Sequence, residues 1–585
     1  MTVSPSEPTR LPISLKETHE RLTAPGQPYE MAEALIGGRR QRVWRNAPAS
    51  LREIFIASRV FEGREFLVYE DERITYRGFG AAVRALAAQL QADGVVKGDR
   101  VAIAMRNLPE WPVAFFAAVS LGAIATPLNA WWMGVELEYG LKDSEAKVAI
   151  LDGERLERLE ALLPGCEALQ TVYVARAMGK RDSAVRDLLD VLGPTGSWEA
   201  LQAPDLPQIQ VQPDDPATLL YTSGTTGAPK GALGTHRNMC SNIMASGIAA
   251  ARNLVRQGLE PPKADPLTAP QRVTLLAIPL FHATGCSANL CPLVNAGGKL
   301  VLMHRFDAGR ALELIERERV TATGGVPTIA WQLVEHPDRE RFDLSSLLQV
   351  TYGGAPSAPD LVRRLREVLP QALPGNGWGM TETTATFSSH LGAEYEARPD
   401  SCGPAAPVGD MRIVDPATLQ DLPPGSVGEL WVRGPQVVQS YWNKPAATAE
   451  TFVDGWLRTG DLARLDEEGY CYIVDRAKDM LIRGGENIYC VEVENVLYDH
   501  PDVMDAALVG VPHRTLGEEP AAVVHLRPGG RATEDELRDF VRGRLAAFKT
   551  PVRIAFWPEP LPRNANGKIL KGELRQVFED GAGTR

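Results

Sequence analysis

The sequence predicts an α/β fold: a large N-terminal domain of mainly parallel sheets flanked by helices, followed by a small, mobile α+β C-terminal domain. Three observations carry this. Short apolar runs alternate with helical patterns from Leu51 onward, and such alternation builds parallel sheets. The chain has 585 residues, too many for one ordinary core. A second alternation begins near Asp475, and the roughly 110 residues that follow suffice for a small domain with its own core. The expected division is an N-terminal arm over 1–45, loosely ordered, a large domain over 46–474 and a small domain over 475–585, with a hinge near Lys478 in "YIVDRAKD".

The elements follow in order. "YRGFGAAVRALAAQLQADGV" reads as a helix closed near Gly94, and "RVAIAM" and "KVAIL" read as strands. Trp111 to Val135 carries no charge and is long enough to span a bilayer. Pro112, Pro127 and Asn129 interrupt it, so it is expected as a buried helix leading into a buried strand. "ATLLYT", "RVTLLAIP", "KLVLM", "VTATGGVP" and "LLQVTYGG" are further strands, with "AGRALELIERE" and "APDLVRRLREVL" as helices between them. "GLEPPKADPLTAP" is a proline-rich surface loop. In the second pattern "VEVENVLYDHP" and "TEDELRDFVRGRLAAF" are helices, the latter capped by Thr533, and "DAALVGVP", "PAAVVHLRP" and "VRIAFW" are strands.

Net charge is −12 and the pI about 5.5, which argues against nucleic acid or an anionic membrane as partner. Seven scattered cysteines without a CxxC pair signal neither a disulfide framework nor a zinc site, and a reducing cytoplasm is expected. The N-terminus lacks the apolar core of a signal peptide. No integral membrane segment is expected, and a homodimer is compatible with the sequence.

"YTSGTTGAPKG", Tyr221 to Gly231, crowds four Ser and Thr hydroxyls, three glycines and one lysine onto a single loop after a strand. Glycines let backbone N–H groups approach a phosphate, and hydroxyls and a lysine add donors. The loop departs from GxxxxGK[ST], because Lys230 is followed by Gly231, so a simple P-loop NTPase is disfavoured. The composition of a flexible surface turn overlaps with that of a phosphate loop, and this segment alone leaves both readings open.

Five more segments recur in order. They are "YGGAPSAP" (352–359), "GWGMTETT" (377–384), "LRTGDLARLDEEGY" (457–470), "DRAKDMLIRGGENIYCVEVE" (475–494) and "PRNANGKILK" (562–571). Together with the loop, they resemble the motifs of the adenylate-forming (AMP-binding) superfamily, acyl-CoA synthetase branch, and the resemblance runs from about Leu51 to Leu574. It implies a two-step reaction. A carboxylate attacks the α-phosphate of ATP to give an acyl-adenylate and pyrophosphate, and a thiol then takes the acyl group and releases AMP.

The resemblance also implies roles. Thr222, Ser223, Gly224, Thr225, Thr226, Gly227 and Lys230 would cradle the β- and γ-phosphates. Thr381 would donate to the α-phosphate and Glu382 would bind Mg²⁺. Gly353, Gly354, Ala355 and Pro356 would form a flat wall for adenine, with Trp378 on its other face beside Gly379 and Met380. Tyr is more usual than Trp at that place. Asp461 and Arg476 would bind the ribose. Lys568 would bridge the attacking carboxylate and the α-phosphate. Rotation at Lys478 would exchange the Lys568 face for one carrying Gly484 and Gly485, which would border the coenzyme A thiol tunnel. Read blandly, "TE" is a helix start, Trp378 a core residue, Asp461 a turn residue and Lys568 a solvated lysine.

"LFHATG" lacks the aspartate with which amino-acid-activating relatives hold an ammonium group, so an α-amino acid is disfavoured. His282 resembles the pocket histidine or aromatic gate beside the carboxylate. The expected enzyme is an ATP-dependent, Mg²⁺-using acid–CoA ligase acting on a medium- to long-chain fatty or other bulky acid, with free coenzyme A as acceptor. Alternatives are a standalone adenylating ligase that feeds an acyl or aryl acid to a separate carrier protein, and an inactive nucleotide-binding sensor.

Overall fold

The computed structural model describes residues 11–177, 185–222, 228–262, 265–354, 359–476, 479–484, 486–564 and 567–579. Among the described residues the strands form five sheets. The first large sheet has seven strands, in the order Gly231–Thr235, Pro216–Tyr221, Ile124–Pro127, Arg100–Ala104, Val148–Asp152, Thr171–Ala175 and Val185–Asp187. The second has eight, in the order Ala385–Leu391, Leu373–Met380, Gln349–Gly353, Ala322–Gly325, Val273–Leu276, Lys299–Leu302, Glu65–Tyr69 and Glu72–Thr75. Inner pairs of both sheets are parallel, and so is the edge pair Thr171–Ala175 with Val185–Asp187, while the other three edge pairs are antiparallel. Helices cover the faces, as parallel strands joined by crossovers require. Every strand expected from the apolar runs before Asp475 lies in one of these two sheets.

The charge-free run resolves as expected into the helix Glu110–Ser120, wholly buried, and the strand Ile124–Pro127. Among the described residues no helix is long and apolar enough to cross a membrane.

Two features differ from the sequence reading. Residues 15–44 are not loose. Leu15–Thr23 is a helix capped by the Ser14 hydroxyl, and Met31–Ile36 pairs with Arg39–Trp44 as a hairpin. Leu22 and Trp44 pack against Ile248, Ala251 and Val255 of the helix His236–Arg256, so burial of a few apolar groups organises a polar segment. The third sheet, between Gly403 and Arg476, is entirely antiparallel. Its long pair, Trp456–Leu465 and Tyr470–Arg476, is joined by a tight turn at Asp466–Gly469, so no crossover helix is needed. A buried group ties this sheet to the helix His236–Arg256: Glu394 takes Arg252 at 2.9 Å and the Tyr470 hydroxyl at 2.6 Å.

The change of sheet falls between Arg476 and Leu481. From Leu481 on, five strands form a separate sheet around Val503–His513 and Gly517–Leu526, with Arg553–Phe556 added parallel to the latter. Val493, Leu497, Leu508 and Leu537 pack on one face, and Leu561 and Leu574 on the other. The helix Glu534–Arg542 opens with the expected Thr533 cap, completed by Glu536.

Candidate active site

Parallel strands end where ligands gather in such sheets, outside their carboxyl ends. Here Gly325, Gly353 and Met380 end three neighbouring strands and all border one cavity of 870 Å³. The same cavity takes Thr222 and Lys230 from the seven-stranded sheet and Arg476 from the antiparallel sheet. Lys568 reaches it from the C-terminal part of the chain.

Thr222 and Lys230 hold the two ends of the hydroxyl-rich loop together. The Thr222 amide donates to the Lys230 carbonyl at 2.9 Å, and the Lys230 amide donates to Thr222 Oγ1 at 3.3 Å. Ser223, Gly224, Thr225, Thr226 and Gly227 lie outside the described residues, as do Ala355, Pro356, Lys478 and Gly485. Gly353 and Gly354 line the cavity, and Gly354 sits at φ +75°, a conformation that suits glycine.

"GMTETT" forms a sharp corner. Thr381–Thr383 is a single 3₁₀ turn, not the start of a longer helix. Thr384 and Ala385 follow at φ +56° and +87°, two strained residues side by side. A Cβ on Gly379 would fall 1.7 Å from the Ala385 carbonyl, so only glycine permits this close approach. The corner presents Thr381 and Glu382 to the cavity. Glu382 is buried, and burial pushes its carboxyl pKa up. The Tyr441 hydroxyl, donating to Oε1 at 2.5 Å, pulls the other way, with the Arg476 and Lys230 charges. The Lys230 ammonium lies 5.2 Å from the centre of the same Tyr441 ring. Tyr441 belongs to none of the motifs, and only the fold brings it here.

His282 caps the short turn Ala283–Gly285, accepting the Thr284 amide on Nδ1 at 3.3 Å. Burial lowers its pKa to about 4, so the ring is neutral and its proton sits on Nε2. It borders the cavity as a hydrogen-bond donor without charge.

Trp378 is only 8% exposed and packs edge-on against Phe387, yet it also borders the cavity. Its indole Nε1 donates to Asp461 Oδ2 at 2.8 Å. Asp461 is buried behind the lining, with Arg476 Nε 3.0 Å from Oδ1. The pair expected to contact a ribose is thus joined to itself and to the tryptophan.

Lys568 stands on a braced turn. Its amide donates to Asn564 Oδ1 at 3.0 Å, and the Asn564 amide donates back to the Lys568 carbonyl at 2.9 Å. Arg563 ties the turn to Asp505 with two bonds of 2.7 Å. The Lys568 ammonium is 3.8 Å from Asp479. Gly484, in contrast, closes the hairpin Leu481–Arg483 and Glu486–Ile488 at φ +59° and is not part of the cavity wall. A smaller cavity of 290 Å³ adjoins the first, sharing Ile278, Val326 and Asn564, and carries Arg106, His304 and Arg305.

A sequence model of the AMP-binding enzyme matches residues 55–442, and one of the AMP-binding enzyme C-terminal domain matches 492–568. The chain belongs to the AMP-binding enzyme family. A feruloyl-CoA synthase of Amycolatopsis sp is 39% identical over 86% of this chain and 94% of its own length. A long-chain-fatty-acid–CoA ligase of Bacillus subtilis (strain 168) is 32% identical over 88% of this chain and 92% of its own. The crystal structure of the anthranilate CoA ligase AuaEII in complex with anthranoyl-AMP superposes with a TM-score of 0.80, at 27% identity, over 91% of this chain and 98% of that one. The ligase shares their two-part architecture, and it is an AMP-forming acid–thiol ligase that uses ATP to activate a carboxylic acid.

Proposed function

We propose that the 870 Å³ cavity is where this ligase makes an acyl-adenylate and then an acyl-CoA. One observation carries the reading: Lys230, His282, Thr381, Glu382, Arg476 and Lys568, from five separated segments, border the same space. Adenylation brings a carboxylate up to a polyanion, so cations and donors must already stand where charge develops. Lys230 and the loop before it take the β- and γ-phosphates. Thr381 donates to the α-phosphate. Lys568 stands between that phosphate and the incoming carboxylate, while neutral His282 offers Nε2–H to the carboxylate without competing as a counter-charge. Asp461, held by Trp378 and Arg476, takes the ribose hydroxyls.

Mg²⁺ fits this wall. Among the described residues no cluster of three His, Cys, Asp or Glu could cage a metal. Glu382 supplies one carboxylate, which suits a cation that keeps waters and takes its other ligands from phosphates. Bound there, Mg²⁺ would neutralise phosphate charge.

Coenzyme A is the acceptor in this reading. The adjoining cavity with Arg106 and Arg305 suits a phosphate-bearing thiol, and rotation about Lys478 would bring Gly484 and Gly485 to its path. All seven cysteines are free and buried, which supports a reducing cytoplasm. The acid is bulky, and the feruloyl and long-chain acids named for the relatives bracket its size. The test is product identity: an acid panel with ATP and CoA should yield AMP, pyrophosphate and a thioester. ADP among the products, or thioester formed only on a carrier protein, overturns this assignment.

A further inference from the structure

The cavity does not stop at the acid-binding end. It follows the strand Gln349–Gly353 down the face of the eight-stranded sheet, touching Gly353, Thr351 and Gln349 in turn. Alternate residues of a strand share one face, and four residues of rise cover about 13 Å. Across from them the helix His236–Arg256 lines the cavity with Ile243, Ser246 and Ala250.

The far end is polar. Val273 and Leu275 pack into the core on the opposite face of the sheet, so by alternation Arg272 and Thr274 face the cavity, and both border it. Thr274 is 4% exposed, and its Oγ1 has no hydrogen-bond partner. A buried hydroxyl left unbonded is costly, and it points to a partner that arrives with the ligand. Arg272 borders the cavity yet is solvent-exposed, as a group at an open cavity end is, and the crowding around its guanidinium lowers its pKa. No carboxylate is paired with it among the described residues. A plain fatty chain would satisfy neither group.

We propose that Arg272 and Thr274 form the distal anchor of the acyl pocket, and that the preferred acids carry an oxygen acceptor at their far end, a second carboxylate being the strongest case. This rests on the ligase reading above. A guanidinium meets a carboxylate or a phenolic or alkoxy oxygen with charge-assisted bonds that an aliphatic terminus cannot make.

The experiment compares straight-chain diacids with methyl-terminated acids of equal length, by pyrophosphate release. With the parent enzyme, kcat/KM should peak at one diacid length and there exceed the matched monoacid by about 10–100-fold. Arg272→Met keeps the stem and removes the charge. It should abolish that excess while leaving the monoacid rate within about twofold, and Arg272→Lys should restore part of it. Thr274→Val should favour the methyl-terminated acid. No diacid preference at any length, or a preference that survives in Arg272→Met, overturns the anchor while leaving the ligase intact. Failure of every acid to release pyrophosphate strikes the ligase reading itself, and the anchor falls with it.

Discussion

The indole of Trp378 donates to the carboxylate of Asp461 at 2.8 Å, across 83 residues of sequence. Both side chains are buried, so the bond fixes the orientation of a carboxylate whose other oxygen faces Arg476. On the proposed reading Trp378 would act on the nucleotide through Asp461, as a positioning residue. Trp378→Phe keeps an aromatic ring and removes the donor. A hydrogen bond to a charged group contributes about 1.5–3 kcal/mol, so KM for ATP should rise roughly 10–100-fold with kcat changed much less. An equal fall in kcat at unchanged KM would show that the bond serves the chemical step instead.

Glu382 and Tyr441 predict a pH effect. Burial raises the Glu382 pKa and the Tyr441 hydroxyl lowers it. Tyr441→Phe removes the lowering influence, so the carboxyl holds its proton to higher pH. The acid limb of the adenylation profile, measured at limiting Mg²⁺, should therefore move to higher pH. Glu382→Gln should lose Mg²⁺ responsiveness outright, since an amide is a poorer ligand for a hard cation. A Tyr441→Phe profile that superimposes on the parent's would remove Glu382 from the metal role.

Much of this was legible in the sequence, for a physical reason. Parallel strands buried on both faces read as continuous apolar runs, so "KVAIL" and "KLVLM" identify themselves locally. The antiparallel sheet between Gly403 and Arg476 did not, because its strands are short or half-polar and the one helix among them, Pro445–Thr451, spans only seven residues. Motif glycines such as Gly379 mark a corner by themselves. Tyr441, Trp378 as a donor to Asp461, and Arg272 act through contacts made far along the chain, and no local pattern announces them.

Acid stability follows from buried histidines. His236, His282 and His390 are each held down to about 4 by burial, so the folded protein keeps them neutral. Between pH 6.5 and about 4 the unfolded chain binds these protons and the folded one does not. Stability should therefore fall as pH falls through that window. Asp475 works oppositely: burial lifts it to about 6, so its contribution is present at low pH and is lost as pH rises towards 6. Glu110, Glu382 and Asp400, also raised by burial, act with Asp475, while His19 and His304, also lowered, act with the three histidines; the melting temperature should decline from pH 6.5 to 4.5 if the histidines dominate. His390→Gln should reduce the slope, and an unchanged slope would place the acid sensitivity elsewhere.

Lys478→Pro should separate the half-reactions. Proline fixes φ and removes a backbone donor, which would bias a segment proposed to change dihedrals between the two steps. Pyrophosphate release should persist while thioester formation from supplied acyl-adenylate falls. Equal losses in both would remove the hinge from this position.

Lys568→Ala is the most direct test of the assembled site. In the structure Lys568 borders the same cavity as Thr381 and Glu382, on a turn braced by Asn564 and by the Arg563–Asp505 pair. Those bonds come from the backbone of Lys568 and from its neighbours, so removing the side chain leaves the turn standing. Stability should change by less than about 0.5 kcal/mol. Adenylation should fall by about 10²–10³, the usual cost of one preorganised group at a developing charge. The second half-reaction should be spared if, as proposed, a rotation about Lys478 carries this turn out of the cavity before the thiol enters. A supplied acyl-adenylate plus CoA should then give thioester at nearly the parental rate. If instead both half-reactions fall together, Lys568 serves the closed structure rather than the first step. If neither falls, the ammonium beside Asp479 is a structural partner and the carboxylate is held by another cation.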